Sequence, residues 1–299
     1  MFSVNKKRIN KELVRAAWHL FQKDKELVVV PLLGVVATLG TFAAVFKITH
    51  GTSLFFTHDA PFFFPHSTSF FLSFVNMQHL SLWGWIFSAV IAYISTALAV
   101  FFRVALVAGA WERMKGGDPS IRTCIQAAAR RLSAILLWVL ITATVSVVLR
   151  MLANRVPFFG PLAVILIGGA WAMSTFFMIP IIVAGNPGSF GSIRKSKNLF
   201  VSKWKNVVNT SLIVFAYTMA ASLLPTLVLI GGVFSWNLQS SHILGGLLIS
   251  VGGVVLGAFL LVSSAAFLYV RTALYRYVND RPVEGISIDQ LNTAFPQTS

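Results

Sequence analysis

Charge, acidic residues and cysteine are all scarce in this sequence. Charged residues make up 11% of its 299 residues, only nine residues are Asp or Glu, and Cys124 is the single cysteine. A soluble domain needs far more charge to cover its surface, so the composition excludes an ordinary soluble protein. One cysteine excludes an internal disulfide framework and argues against thiol chemistry.

The motifs of common enzymes are missing as well. The sequence contains no P-loop, no His-Glu-x-x-His and no Gly-x-Ser-x-Gly, so it predicts no nucleotide loop, zinc protease site or nucleophile elbow. No Asp or Glu falls within a long apolar run. This argues against an ion-coupled pump, because such proteins usually need buried carboxylates. The sequence therefore predicts no enzyme and no cofactor.

Long runs of apolar residues are abundant in this sequence. Hydrophobic residues make up 56% of the chain and the mean hydropathy is +0.77. A helix needs roughly 20 apolar residues to cross a bilayer, and lipid cannot satisfy an open backbone. The predicted fold class is therefore all-α, a polytopic membrane protein with six transmembrane helices. The predicted spans are residues 27–46, 82–102, 134–152, 162–184, 207–234 and 243–270.

The basic residues predict the orientation of these spans. The net charge is +15, and 20 of the 24 Lys and Arg lie in the N-terminal tail, in the second and fourth connections, or beyond the last span. Basic residues collect on the cytoplasmic side of membrane proteins. Both termini and Cys124 are thus expected in the cytoplasm. The positive charge is assigned to the membrane surface, and no nucleic-acid partner is predicted.

The first connection, residues 47–81, is expected on the opposite side. It contains "FFTHDAPFFFPHSTSFFLSF" at 55–74, in which prolines forbid a continuous helix. Its phenylalanines suit an aromatic cap on the outer leaflet. A metal site is the alternative, since imidazole and carboxylate are suitable ligands. The candidate ligands are His50, His58, Asp59, His66 and His79. Their spacing matches no compact ligand pattern, so no metal is predicted.

A repeated unit runs through the chain. Arg103 begins the pattern R-x-A-L-x5-[ED]-R, and Arg271 begins a second copy of it. A basic segment with apolar residues at helical spacing precedes each pair of spans. The apolar positions are Ile9, Leu13, Ala16 and Leu20, then Ile121, Ile125, Ala128 and Leu132, then Phe190, Ile193, Phe200 and Trp204. The sequence thus predicts three hairpins, each preceded by a basic amphipathic interfacial helix.

These units form a single membrane domain over residues 1–299. Its parts are a cytoplasmic tail (1–26), a first hairpin (27–110), a second unit (111–189), a third unit (190–281) and a cytoplasmic tail (282–299). The amphipathic helices either brace the bundle and fix its topology, or bind lipid headgroups or a partner.

Two arginines are the main site candidates. Arg103 and Arg271 either mark the cytoplasmic boundary with snorkelling side chains, or line a headgroup site, because the guanidinium fork suits phosphate. Further headgroup contacts are predicted at Arg130, Arg131, Arg194, Lys195 and Lys197. Gly253 and Gly257 form a Gly-x-x-x-Gly pair that permits close helix packing, within the bundle or in a dimer.

Three segments resemble a known family. "WHLFQKDKELVVVPLL" (18–33), "WERMKGGDPSIRTCIQAAARRLSAILLW" (111–138) and "GSIRKSKNLFVSKWKNV" (191–207) look like a prokaryotic group of six-span proteins known only as a domain of unknown function. The layout is also loosely similar to the membrane domain of some glycerophosphodiester phosphodiesterases. The resemblance implies a multi-pass protein of the prokaryotic inner membrane and supplies no catalytic residue, since no hydrolase domain is attached.

Three functions are compatible with these features. The first is a non-enzymatic, lipid-associated scaffold or accessory protein that contacts anionic headgroups of the cytoplasmic leaflet. The second is a permease or flippase for a lipid or amphiphile, and the third is a membrane enzyme acting on lipids. A permease predicts a polar-lined cavity built from Ser95, Thr96, Thr142, Thr144, Ser174 and Thr175. A second copy of the chain or another membrane protein is a candidate partner.

Overall fold

A computed structural model describes residues 17–22, 25–50, 82–155, 160–185, 189–202, 204–237 and 242–279. Helices account for 92% of these described residues, and no strand occurs among them. The prediction of an all-α fold is confirmed. Most of the aromatic first connection lies outside the described residues, as do His58, Asp59, His66 and His79.

The helices follow one another with short connections. A 3-10 helix over Lys25–Val28 leads into α1. The remaining helices are α1 (Val29–His50), α2 (Leu82–Arg113), α3 (Ile121–Ala129), α4 (Leu132–Arg155), α5 (Gly160–Ser174), α6 (Met178–Ala184), α7 (Ser189–Ser202), α8 (Trp204–Asn237) and α9 (His242–Val278).

Five stretches of these helices are long and apolar enough to cross a membrane, as expected for a membrane protein. They are Ala89–Arg113, Leu132–Leu149, Val164–Ala184, Ser211–Trp236 and Ile243–Val278. They correspond to the last five of the six spans predicted from the sequence. The first predicted span is helical, but its described apolar part, Glu26–Thr41, is shorter than the other five. The described residues thus support five spans, and the sixth stays a prediction.

Local sequence explains where the short helices begin and end. Ser120 caps α3: its hydroxyl accepts the Thr123 backbone N–H at 3.2 Å, and the Thr123 hydroxyl accepts the Ser120 N–H at 3.0 Å. Such reciprocal capping satisfies backbone donors that the first turn leaves free. Gly185 ends α6 with φ +83°, a left-handed conformation that favours glycine.

The chain divides into two compact units. The terminal unit comprises Met1–Val28, Ala110–Pro119 and Ser202–Ser299, and the central unit comprises Val29–Gly109 and Ser120–Val201. The terminal unit contains the α8–α9 hairpin together with the end of α2. The central unit contains α1, most of α2, and α3 to α7.

Aromatic contacts hold the described part of the terminal unit together. Phe21, in the short helical segment 17–22, packs edge-on against Tyr269 of α9 with ring centroids 5.2 Å apart. Trp111, near the end of α2, lies 5.9 Å from the Tyr275 ring. The chain before α1 and the carboxyl ends of α2 and α9 are thereby collected at one end of this unit.

The α8–α9 hairpin packs closely because glycines line its interface. A Cβ atom at Gly245 would lie 2.8 Å from the Trp236 backbone nitrogen, and one at Gly252 would lie 3.0 Å from the Leu229 nitrogen. No described atom lies within 4 Å of the corresponding position at Gly253 or Gly257. The two glycines proposed from the sequence motif are therefore away from this interface. Their packing against another helix stays a prediction.

Cross-helix contacts set the register of three spans in the central unit. The Tyr93 hydroxyl of α2 donates to the Leu136 carbonyl of α4 at 2.9 Å. Trp138 of α4 and Trp171 of α5 stack with an interplanar angle of 11° and centroids 5.9 Å apart. These residues of α2, α4 and α5 therefore lie at a common depth along the helices.

Candidate functional site

The two basic helices of the central unit bury one face and expose the other. In α3, Cys124 and Ala128 are buried whereas Arg122 and Arg130 are exposed. In α7, Ser196 is fully buried, and Arg194 and Lys197 are exposed on the opposite side. Lys195 is half-buried. The helical periodicity predicted from the sequence is present, but the apolar faces pack inside the protein instead of lying free for the bilayer.

The buried face of α7 differs in composition from the predicted stripe. Ser192 and Ser196 lie on it together with Phe200, whereas Ile193 is only half-buried. Sequence reasoning missed both serines because a hydroxyl residue does not register in an apolar pattern. Leu132, predicted as part of the stripe that includes Ala128, is 46% exposed and belongs to the start of α4.

Ser196 has a specific role in the span formed by α5 and α6. This span is interrupted by a turn at residues 175–177. Pro180 contributes to the interruption, because a proline has no N–H for the carbonyl of residue 176. At this turn the Phe177 N–H donates to the Ser196 hydroxyl at 3.0 Å. Both residues are 0% exposed, so α7 supplies a buried acceptor to a break in a membrane helix.

Arg131 lies where α4 begins and the α5–α6 span ends. Its guanidinium covers Gly185: a Cβ atom built on Gly185 would lie 2.6 Å from Arg131 Nη2. A cation at a helix C-terminus interacts favourably with the helix dipole and its free carbonyls. The arginine side chain is still exposed overall.

Exposed apolar side chains adjoin these cations. Leu132, Leu136 and Leu140 of α4 are exposed directly after Arg130 and Arg131. Val201, one turn after Lys197, is 61% exposed. Exposed leucines on a helix long enough to span a membrane suit lipid surroundings. Val201 belongs to α7, which is not among the spanning stretches.

The hydroxyl groups proposed to line a transport cavity mostly bond to their own helices. Thr96, Thr142, Thr144, Ser174 and Thr175 each donate to the carbonyl four residues earlier, at 2.7–2.9 Å. Ser95 is the exception: it is 1% exposed and its hydroxyl has no hydrogen-bond partner among the described residues. Five of the six residues therefore satisfy their hydroxyls locally.

The two arginines of the repeated motif belong to different units. Arg103 is half-buried on α2 within the central unit, and Arg271 is half-buried on α9 within the terminal unit. Each unit is compact by itself. Their joint role in one headgroup site stays a prediction.

A third arginine, which sequence reasoning counted only as cytoplasmic charge, is more deeply buried than either. Arg276 is 4% exposed, with Cζ 5.1 Å from the centre of the Trp111 ring. Its Nη1 donates to the Trp111 carbonyl at 3.5 Å. A guanidinium on an indole face gains cation–π attraction, which is larger when the pair is desolvated. Arg276 thus fastens the end of α9 to the end of α2.

Acidic side chains neutralise the cations in the turn after α2. Arg113 pairs with Asp118, and Lys115 Nζ lies 3.3 Å from Glu112 Oε2. No cluster of three or more His, Cys, Asp or Glu occurs within the described ranges. The histidines proposed as metal ligands lie mainly outside those ranges, so that alternative stays untested.

One family model matches the part of the chain that carries these features. The model of a family of unknown function, DUF6159, matches residues 85–284, about two thirds of the chain. The chain belongs to this family. The DUF6159 region begins within α2 and extends past α9, so it includes every cation of α3 and α7.

No curated protein and no solved structure matches the chain. The resemblance to a domain of unknown function is confirmed at the level of this family. The looser similarity to the membrane domain of glycerophosphodiester phosphodiesterases has no support. Membership of DUF6159 carries no activity with it.

Proposed function

We propose that this protein is a non-enzymatic, lipid-associated scaffold or accessory protein of the prokaryotic inner membrane. One observation supports the proposal: the exposed cations Arg130 and Arg131 directly precede exposed leucines of α4, a helix long and apolar enough to cross a membrane. Basic residues at the edge of a bilayer attract anionic headgroups, at about 1 kcal/mol for each Lys or Arg. The buried faces of the same two helices brace the central unit. The protein therefore combines a rigid cytoplasmic rim with a headgroup-binding surface.

The proposal includes six spans with both termini in the cytoplasm, organised as three repeated hairpins. Two contacts in the terminal unit support an even number of crossings before α2 ends. Phe21, before α1, packs on Tyr269 of α9. Trp111, at the end of α2, lies against Arg276, which is also on α9. These contacts favour residues 21 and 111 on one side of the membrane. With one crossing by α2, the proposal needs a further crossing between residues 21 and 82, and it assigns that crossing to α1.

A lipid-scrambling assay tests the proposed function. The full chain is reconstituted in liposomes containing a fluorescent phospholipid, and the outer-leaflet probe is quenched with dithionite. A scaffold leaves about half of the probe protected, as in protein-free liposomes, while native mass spectrometry of the purified protein detects retained phospholipid. Rapid loss of the protected half would contradict a scaffold, and so would a protein that retains no lipid.

A permease or flippase is the second candidate, favoured by the interrupted span. Discontinuous membrane helices commonly line substrate pathways in transporters, and the break at residues 175–177 is of that kind. The buried Ser95 hydroxyl adds one polar group without a described partner. In this case the scrambling assay would show transport, and substitution at the break would abolish it.

A further inference from the structure

We infer that the central unit carries two groups of exposed cations selective for anionic phospholipids: Arg130 and Arg131 where α4 begins, and Arg194 and Lys197 on α7. We call these four residues the cationic face. The inference rests on the proposed lipid association and adds the class of headgroup and the residues that select it. The ligand group is a phosphate that retains a net negative charge, as in phosphatidylglycerol, rather than one balanced by an ammonium group.

The first argument is a local absence of counter-ions in the sequence. Between Pro119 and Asn279 the chain has no Asp or Glu, yet it has twelve Lys and Arg. Within the whole central unit the only acidic residue is Asp59, in the connection that the sequence predicts on the opposite membrane side. The cationic face therefore has no acidic residue in the described part of its own unit.

The terminal unit provides a contrast within the same protein. Its short turn after α2 also has basic groups, but Asp118 pairs with the half-buried Arg113 and Glu112 pairs with the exposed Lys115. Ion pairs at a protein surface are worth little in stability, but they lower the net local charge. The cationic face has basic residues of the same type, and the described part of its unit has no carboxylate to lower their net charge.

The second argument is the position of the cations relative to the bilayer. Arg130 and Arg131 immediately precede Leu132, which is exposed together with Leu136 further along α4. In α7, Lys197 is exposed one turn before the exposed Val201. A soluble anionic partner would not require apolar exposure beside the cations. Cations next to lipid-facing side chains favour headgroups as the occupant.

The third argument is preorganisation. Arg131 rests on Gly185, and α7 is held to the interrupted span by the hydrogen bond between Phe177 and Ser196. These contacts fix the start of α4 and the orientation of α7, so less conformational freedom is lost when a ligand binds. The arginine fork also suits a phosphate because it can donate two parallel hydrogen bonds.

The test compares lipid enrichment around charge variants of the full chain. The protein is reconstituted in nanodiscs with equal phosphatidylglycerol and phosphatidylcholine, and the lipids retained after release are quantified by native mass spectrometry. The wild type is expected to enrich phosphatidylglycerol. The variant R130Q/R131Q/R194Q/K197Q is expected to lose this enrichment, by up to about fivefold for each cation at low salt. The matched control R113Q/K115Q is expected to behave as the wild type.

Further variants and probes keep the outcome interpretable. The charge-preserving variant R130K/R131K/R194K should retain most of the enrichment, which separates charge from folding. Equal retention of both lipids by the wild type overturns the inference but leaves lipid association intact, whereas no retained lipid contradicts the proposed function itself. Undiminished enrichment in the glutamine variant places the site elsewhere and overturns the inference. A short DNA is the probe for a soluble polyanion. If it binds, through these four residues, to the protein in nanodiscs of phosphatidylcholine alone, and the protein shows no phosphatidylglycerol enrichment, the occupant is a soluble polyanion instead.

Discussion

Gly252 and Gly253 are neighbours in α9 but differ in how closely other atoms pack against them. An alanine at position 252 would bring its Cβ within 3.0–3.2 Å of Leu229 atoms, two of them in the backbone, whereas an alanine at position 253 would meet no described atom within 4 Å. We expect Gly252→Ala to lower the unfolding temperature in detergent. Gly253→Ala should leave it unchanged or raise it, because alanine exceeds glycine in helix propensity by about 1 kcal/mol. Equal destabilisation by both would contradict this packing of the hairpin.

Gly185 offers a second test at the residue scale. Its φ of +83° and the overlying Arg131 guanidinium both disfavour a side chain. Gly185→Ala should cost about 1–2 kcal/mol in the free energy of unfolding, the usual penalty for an L-residue in the left-handed region. Denaturant titration of the purified protein measures it. Gly191→Ala is the control, since a Cβ there meets no described atom within 4 Å; a similar loss in the control would remove the conformational explanation.

Single residues were the level at which the sequence was least informative. The motif Gly253-x-x-x-Gly257 is visible in the sequence, but the close contacts occur at Gly245 and Gly252, because helix rotation depends on the partner helix. Arg276 looks like any basic residue after a span, although it is buried on Trp111. Burial of a polar side chain depends on a partner distant in the chain, and that partner has no local signature.

At the scale of elements, the hydrogen bond between α7 and the interrupted span has a measurable consequence. Ser196→Ala removes the acceptor of the buried Phe177 N–H. Leaving a buried donor without a partner costs about 1–3 kcal/mol. We expect lower stability and faster hydrogen exchange at residues 175–178. Asn198→Ala, at an exposed position of the same helix, should change neither quantity. Unchanged exchange in the serine variant would show that the bond does not hold the turn.

The positions of the helices were well predicted from the sequence, but what packs against them was not. Apolar length and helical spacing indicated the last five spans and the two basic helices of the central unit, because both are properties of contiguous sequence. Pro180 is the local sequence signal for the interruption at residues 175–177. The burial of α3 and α7 against protein could not be predicted, since an apolar face has the same pattern whether protein or lipid covers it.

At the scale of the whole molecule, the proposed topology can be tested with cysteines. Cys124 is a poor reporter, because it is 2% exposed. In a Cys124→Ala background, a membrane-impermeant maleimide should label Gln126→Cys, an exposed position of α3, only after cells are permeabilised. Ser67→Cys, in the first connection, should be labelled in intact spheroplasts. The opposite pattern would invert the orientation, and labelling of both positions from the same side would contradict an odd number of crossings between them.

The carboxylate-free stretch from Pro119 to Asn279 has a consequence for how this surface can be regulated. The stretch contains no carboxylate, and His242 is its only histidine. Histidine is the side chain whose ordinary pKa lies between pH 5 and 8, so acidification has almost no such group to act on there. A cell that needs to weaken or strengthen the attraction must change its lipid composition, its ionic strength or the covalent state of these side chains.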